Sequence, residues 1–376
     1  MKEFTESPRA AGYLFPAEWE PQEAVILSCP LNPKTWPDNR SAMEKAYAEF
    51  AAAISRFETV RLICKAEAQA HFRELLAEAS ADLARVLFYD LPTNDAWCRD
   101  HGPVYIRQKE TGERAIVDFN YNAWGGKFSP WDADNAVPKR MAGLLGLPVV
   151  RVPLTCEGGA LEVNGAGTLL TTESVLLNEN RNPGMNKAEV GRILIENLGL
   201  EQVLWLKSGL AGDDTDGHID TLTRFFRKDA VLTIVDEDPL SPNYQILLEN
   251  EKTLKAMRLA DGSRLEVVRL PCPQPIRPQG WREEILPASY ANFLVINGAV
   301  LVPTYRQDKT DVQALEQIAS AFPGRSIIPI DCFDIVLEGG ALHCLSQQEP
   351  RSDICTCEFS GNGKVNVYYL ANKVVN

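Results

Sequence analysis

Apolar residues come in short runs along this chain, separated by polar segments rich in Gly, Asn, Asp and Pro. The runs at 24–30 (AVILSCP), 59–65 (TVRLICK), 86–91 (VLFYDL), 115–121 (AIVDFNY) and 147–152 (LPVVRV) predict strands, because β-branched and aromatic residues suit a pleated, packed surface. So do 202–206, 265–270, 290–305 and 326–330. Between them, stretches near 41–56, 66–79, 134–145, 187–198, 243–258 and 311–321 space their apolar positions near 3.6 residues and predict helices. The stretch KAEVGRILIENL stops at Gly199, a helix-ending residue. Asn-Gly pairs at 164–165 and 297–298 predict tight turns between strands.

One succession recurs about five times: strand, polar loop, hairpin, helix, strand. Each unit is too small to bury its own apolar face, so the units must share a core. Neither end of the array has a polar cap of the solenoid kind, and a closed ring fits better. The expectation is a single α/β domain over residues 1–376, with the loops at the strand ends converging on a central site. The string EGGAL occurs at 157–161 and again at 338–342. The two copies then fall at equivalent places in two units.

Charge narrows the partners. The 376 residues hold 38 basic against 51 acidic side chains, a net charge of −13. That balance argues against nucleic acid or an anionic membrane as partner, since phosphate binding needs a basic footprint. It favours a small cation. No apolar run reaches the ~20 residues needed to span a bilayer, and the opening MKEFTESPRAAGYLF lacks a secretory core. Nine scattered cysteines, an odd number, read as reduced cytoplasmic thiols. Cys355 and Cys357 form a C-x-C without the second ligand pair of a structural zinc site. A homo-oligomer stays open.

The strand-to-hairpin junctions hold the chemistry: Asp95 and Asp100, Glu157, Asp214, His218 and Asp220, and Cys344. If the junctions converge, a thiol, an imidazole and several carboxylates share one pocket. A Cys-His pair is the minimum for thiolate nucleophilic catalysis. Carboxylates raise a thiol's pKa, so they belong there only if the substrate supplies a cation. A guanidinium fits, because two carboxylates grip its planar N–H fork. A lone histidine without spaced partners is a poor transition-metal set, and DDTDGHID misses the ligand spacing of a calcium loop. Were that segment extended, Asp214, Asp216, His218 and Asp220 would share one face.

Other residues read more plainly. Cys64, Cys272 and Cys332 suit small buried hydrophobes. His343 suits a structural place beside its strand, and His71 and His101 suit surface and loop positions. Trp97 and Trp124 fit either the core or the walls of a slot for substrate methylenes. Asp95 and Asp214 fit either ligand contact or loop hydrogen bonding. The paired glycines of EGGAL serve special backbone or close approach, since neither pair lies in a phosphate loop.

The strings WCRDHGP, FNYNAWGG, EGGALEVNGAGTLLTTESVLLNENRNP, DDTDGHIDTLTRF, SYANFLVINGAVLVPTY and GGALHCLSQQEP resemble the agmatine deiminase family, alongside the bacterial peptidylarginine deiminases. The resemblance runs from FPAEWEPQEAVIL to Gln348-Glu349-Pro350. It implies the pentein fold, a five-bladed α/β propeller of ββαβ units. It also implies Cys344 as nucleophile on the guanidinium carbon and His218 as general acid, then base. Asp100 and Asp220 would grip the guanidinium, and Glu157 would orient His218. Asp95, Trp97, Trp124, Asp214 and Asp216 would form the rest of the substrate site.

The implied reaction takes agmatine and water to N-carbamoylputrescine and ammonia, on the way to putrescine, through a covalent thiouronium. No metal or organic cofactor is implied. Arginine or peptidyl-arginine is the alternative substrate, and a non-catalytic amine-binding protein is the alternative class. Three departures bear on the far end of the substrate. The family's T-N-G-H is Thr215-Asp216-Gly217-His218 here. Leu161–Gly165 replaces a G-G-x-x-H-V-D-G string, and Ser346 replaces a threonine.

Overall fold

Five small sheets carry the fold. The structure is a computed structural model that describes residue 4, residues 6–278 and residues 284–352. Four sheets repeat one plan: an antiparallel strand pair, a helix, and a third strand parallel to the second. The first of these uses Val104–Gln108, Arg114–Asn120, helix Val137–Leu145 and Val149–Thr155. The second uses Glu162–Val163, Thr168–Thr172, helix Lys187–Leu198 and Gln202–Leu206. The third uses Thr223–Arg227, Ala230–Val235, helix Tyr244–Ala256 and Glu266–Pro271. The fourth uses Leu294–Ile296, Ala299–Thr304, helix Asp308–Ala321 and Ser326–Asp331.

The fifth sheet joins distant parts of the chain. Gln22–Ser28 leads through helix Arg40–Ser55 to the parallel strands Thr59–Ile63 and Val86–Tyr89. Its antiparallel partner is Ser346–Pro350, with Ser346 opposite Leu27 and Glu349 opposite Ala24. Periodicity does not predict that strand, because Ser-Gln-Gln-Glu-Pro has no apolar alternation. All five residues are buried nonetheless, and their polar atoms are satisfied from the side. Arg99 Nη1 donates to Gln347 at 2.5 Å and Gln348 at 2.6 Å. Arg61 and Arg114 each donate to Glu349 at 2.6 Å. A buried polar strand is tolerable only with such partners.

Helices tie each sheet to the one before it. Lys187–Leu198 packs on Gln202–Leu206 and Val149–Thr155, Tyr244–Ala256 on Glu266–Pro271 and Gln202–Leu206, and Asp308–Ala321 on Ser326–Asp331 and Glu266–Pro271. Arg40–Ser55 packs on Thr59–Ile63 and back on Ser326–Asp331. At the remaining junction Met141 and Ala142 share a buried cluster with Ile26 and Ile63. The helix ends are locally encoded. Asn186 and Glu189 form a reciprocal capping box, and Gly199 closes the same helix at φ 65°. That helix buries Val190, Leu194 and Leu198, each worth about 1.5–3 kcal/mol of apolar transfer. No helix among the described residues is long and apolar enough to cross a membrane. Residues 353–376, including the C-x-C of Cys355 and Cys357, lie outside the described residues.

Candidate active site

Each first strand of a unit is entered through a tight turn, and these turns supply the candidate residues. Asp100 lies in the turn Cys98–His101, Glu157 caps Gly158–Ala160, and His218 caps Ile219–Thr221, which contains Asp220. Asn292 precedes Leu294–Ile296, and Cys344 precedes Ser346–Pro350. Asp100, His218 and Cys344 line one cleft of about 310 Å³, with Trp97, Trp124, Asp95, Asp213, Asp214 and Glu338.

Cys344 is 5% exposed. Its sulfur receives a hydrogen bond from Asn292 Nδ2 at 3.2 Å and lies 3.8 Å from Asp220 Oδ2. Burial, then the Asp220 and Asp100 carboxylates, push the thiol well above its ordinary pKa, with Asn292 among the groups opposing them. The resting sulfur is therefore a thiol, and a cation placed between those carboxylates would favour the thiolate.

His218 is fully buried, its Nδ1 3.5 Å from Asp100 Oδ1 and its Nε2 3.7 Å from Glu157 Oε2. Burial alone would lower its pKa, but Asp100, Glu157 and Asp220 outweigh burial and lift it to about 9. Asp100 is pushed the other way from an ordinary carboxylate, up to about 6, by burial and by Asp220 and Glu157 against the pull of His218. Glu157 overcomes its burial through His218 and Arg181 and falls to about 2. Asp220 is held below its ordinary value despite burial, first by His343 and then by His218.

The partners of these carboxylates aim them. Asp220 Oδ2 lies 2.7 Å from His343 Nδ1. Asp100 accepts from Trp124 Nε1 at 3.0 Å and from the Gly159 amide at 3.1 Å. Glu157 Oε1 accepts from Arg181 Nε at 2.6 Å. Asp220 Oδ1, Glu157 Oε2 and both His218 ring nitrogens are buried without a hydrogen-bond partner among the described residues. Such groups are costly unless a ligand engages them.

Close approach explains the glycines of the first EGGAL copy and Gly340 of the second, while Gly339 sits in open space at φ 95°. A Cβ on Gly159 would stand 2.4 Å from His218 Nδ1 and 2.7 Å from Asp100 Oδ1. A Cβ on Gly340 would stand 2.3 Å from the Trp97 ring and 2.9 Å from Cys344 Cβ. Each copy thus lets candidate site side chains approach its backbone, His218 and Asp100 at Gly159 and Trp97 and Cys344 at Gly340.

Several expectations change in detail. The segment 213–217 is a turn with Asp216 at φ 71°, not a strand, so Asp214, Asp216, His218 and Asp220 do not share a strand face. Local Asp and Thr side chains favour that turn, as when Thr215 donates to Asp213 at 2.6 Å. Asp216 is not in the cleft lining; it pairs with Lys127 and Arg181. Asp95 lines the cleft, but its carboxylate accepts from Asn32 at 2.9 Å, Thr35 at 2.7 Å and the Ala96 amide at 2.8 Å. Asp214 lines the cleft and its carbonyl accepts from Lys127 at 2.6 Å. Trp97 and Trp124 are both core and cleft wall. His101 is buried beside Tyr121 and 3.9 Å from Asp134 Oδ1, contrary to a loop-surface position.

Other residues lie within the resembling strings but were not singled out from them. Glu18 Oε2 lies 2.7 Å from His343 Nε2 and 2.8 Å from Arg224 Nη2, and so braces the histidine next to Cys344. Asp213 lines the cleft with Oδ2 buried and unpartnered among the described residues. Asn292 and Arg181 belong to the same group. For Asn292 the available signal was position, since it precedes the Asn297-Gly298 hairpin as the other site residues precede the hairpins of their own units.

A family model described as Porphyromonas-type peptidyl-arginine deiminase matches residues 14–350. An agmatine deiminase of Stutzerimonas stutzeri is 34% identical over 370 residues, covering 93% of this chain and 99% of that one. The structure of the agmatine deiminase of Enterococcus faecalis superposes with a TM-score of 0.87 at 33% identity, covering 94% of this chain and 100% of that one. A Porphyromonas gingivalis structure provisionally named an arginine deiminase is 39% identical with a TM-score of 0.81, over 90% and 99% of the two chains.

Proposed function

The chain belongs to the Porphyromonas-type peptidyl-arginine deiminase family, and we propose that it hydrolyses agmatine to N-carbamoylputrescine and ammonia. The observation that carries this reading is the buried carboxylate of Asp220 beside the thiol, with one oxygen unpartnered. Asp220 and Glu157 stand behind the cleft lining. Asp220 lies 3.8 Å from the sulfur through Oδ2, its Oδ1 accepts no hydrogen bond among the described residues, and a guanidinium supplies a planar fork of N–H donors. Relatives named agmatine deiminases cover nearly the whole chain.

The chemistry follows from the charges. The guanidinium lies between Asp100 and Asp220 and offsets the carboxylate field that keeps Cys344 protonated. The thiol proton passes to solvent as the guanidinium binds, to be regained when product leaves, and the thiolate adds to the guanidinium carbon. His218, protonated at neutral pH, gives its proton to one departing nitrogen, and ammonia leaves behind a cationic thiouronium on sulfur. The neutral imidazole next takes a proton from water, and the oxygen adds to the same carbon. Collapse expels the Cys344 thiolate and yields the ureido product, while the proton released in that step ends on ammonia. Trp97 and Trp124 flank the methylene chain.

Beyond the guanidinium, the lining carries Asp95, Asp213, Asp214 and Glu338 against Lys34 and Lys127. This excess of carboxylates favours a distal ammonium over the carboxylate of arginine. The seven described cysteines are free thiols, which suits a reducing cytoplasmic setting. Ammonia release from agmatine, arginine and a peptide ending in arginine separates the readings. Agmatine should be turned over fastest, and turnover of arginine without agmatine would refute the assignment.

A further inference from the structure

The catalytic imidazole is linked to the mouth of the cleft by charges of alternating sign. Lys127, on the cleft lining, donates to Asp216 Oδ1 at 2.8 Å. Asp216 Oδ2 accepts from Arg181 Nη1 at 2.7 Å. Arg181, fully buried in its side chain, donates from Nε to Glu157 Oε1 at 2.6 Å. The other oxygen of Glu157 is the one 3.7 Å from His218 Nε2. Two further Arg181 donors are used, Nη2 on the Thr215 carbonyl at 3.0 Å and Nη1 on Asn180 Oδ1 at 2.7 Å. Asp216 holds its place at φ 71°, a conformation uncommon outside glycine. The turn thus accepts backbone strain at the residue that sets a carboxylate between two cations.

We propose that Arg181 and Asp216 are positioning residues for the deimination, fixing the carboxylate of Glu157 and setting the proton affinity of His218 from the cleft's mouth. This rests on His218 being the general acid and base assigned above. Arg181 opposes Glu157, and so weakens the field that holds a proton on His218. Asp216 opposes Arg181, and so restores part of that field. The groups that face His218 come from every turn packed on it: Asp100, Glu157 with Arg181 behind it, Asp213, and Asp220 from its own turn. Cys344 shares the cleft lining with the imidazole.

A mere structural brace would not produce signed effects. Removing the cation, in Arg181→Gln, should raise the proton affinity of His218. Removing the anion with little change of shape, in Asp216→Asn, should lower it, because one amide oxygen can still accept from Arg181. The chain has only four histidines, so the His218 imidazole can be followed individually by nitrogen NMR across pH. Arg181→Gln should move its titration up by about one pH unit, and Asp216→Asn should move it down by about half a unit. Arg181→Lys, which keeps the charge, should stay close to the wild type and serves if the glutamine variant does not fold. Shifts of the same sign, or none beyond a few tenths, would overturn the proposal. The titration is read without turnover. Inactivity of the wild type on agmatine would therefore overturn the assigned reaction and leave this result standing.

Discussion

Asn292 Nδ2 stands 3.2 Å from Cys344 Sγ, while Asn292 Oδ1 accepts from the amides of His343 and Cys344 at 3.1 and 3.3 Å. One side chain therefore fixes the backbone of Cys344 and offers a donor to its sulfur. Asn292→Ala should lower kcat with agmatine by about 10²-fold, as loss of a single charge-stabilising donor does. The rate at which a small alkylating agent modifies Cys344 should also move to higher pH. Unchanged kcat and an unchanged alkylation profile would remove Asn292 from the site.

The pH dependence of kcat/KM reports the free enzyme. Asp100, raised to about 6, must be ionised to grip the guanidinium. Activity should thus fall as pH drops through 6. His218, raised to about 9, must be protonated to release ammonia. Activity should fall again as pH rises through 9. A bell with these two limbs is expected, and a profile still rising above pH 10 would contradict the role of His218.

Gly159 and Gly143 make a matched pair of substitutions. A methyl on Gly159 meets His218 and Asp100, whereas one on Gly143 meets nothing within 4 Å on its helix. Gly159→Ala should cut kcat/KM by about 10²-fold through displacement of the imidazole. Gly143→Ala should keep activity and add about 0.5–1 kcal/mol of stability by helix propensity. Equal effects from the two would undo the close-approach account of EGGAL.

Much of the fold was legible because its units repeat a regular pattern. The helix at 187–198 and the strand at 202–206 appear where periodicity puts them, and Asn297-Gly298 joins paired strands. The strand Ser346–Pro350 was not legible, since its burial depends on arginines distant in sequence. The motifs offered Cys344, His218, Glu157, Asp100 and Asp220 as candidates, and the folded turns bring Asp100, His218 and Cys344 to one cleft. The roles of Asp95 and Asp216 could not be read from sequence, because their carboxylates are committed to partners that only the folded turns bring near.

That polar strand makes its own prediction. Glu349 is fully buried between Arg61 and Arg114. Glu349→Gln leaves two cations without their shared anion and should cost about 3 kcal/mol in chemical denaturation. A loss under about 0.5 kcal/mol would show that the strand is held by other contacts.

The central claim is that a guanidinium is held against Cys344 for attack by its sulfur. An electrophilic haloacetamidine, which presents an amidinium and a leaving group, tests it with peptide mapping by mass spectrometry. The account predicts one label per chain, on Cys344, with loss of ammonia release in step with labelling and protection by agmatine. Labelling confined to other cysteines, or full ammonia release from a protein whose Cys344 is modified, would contradict it.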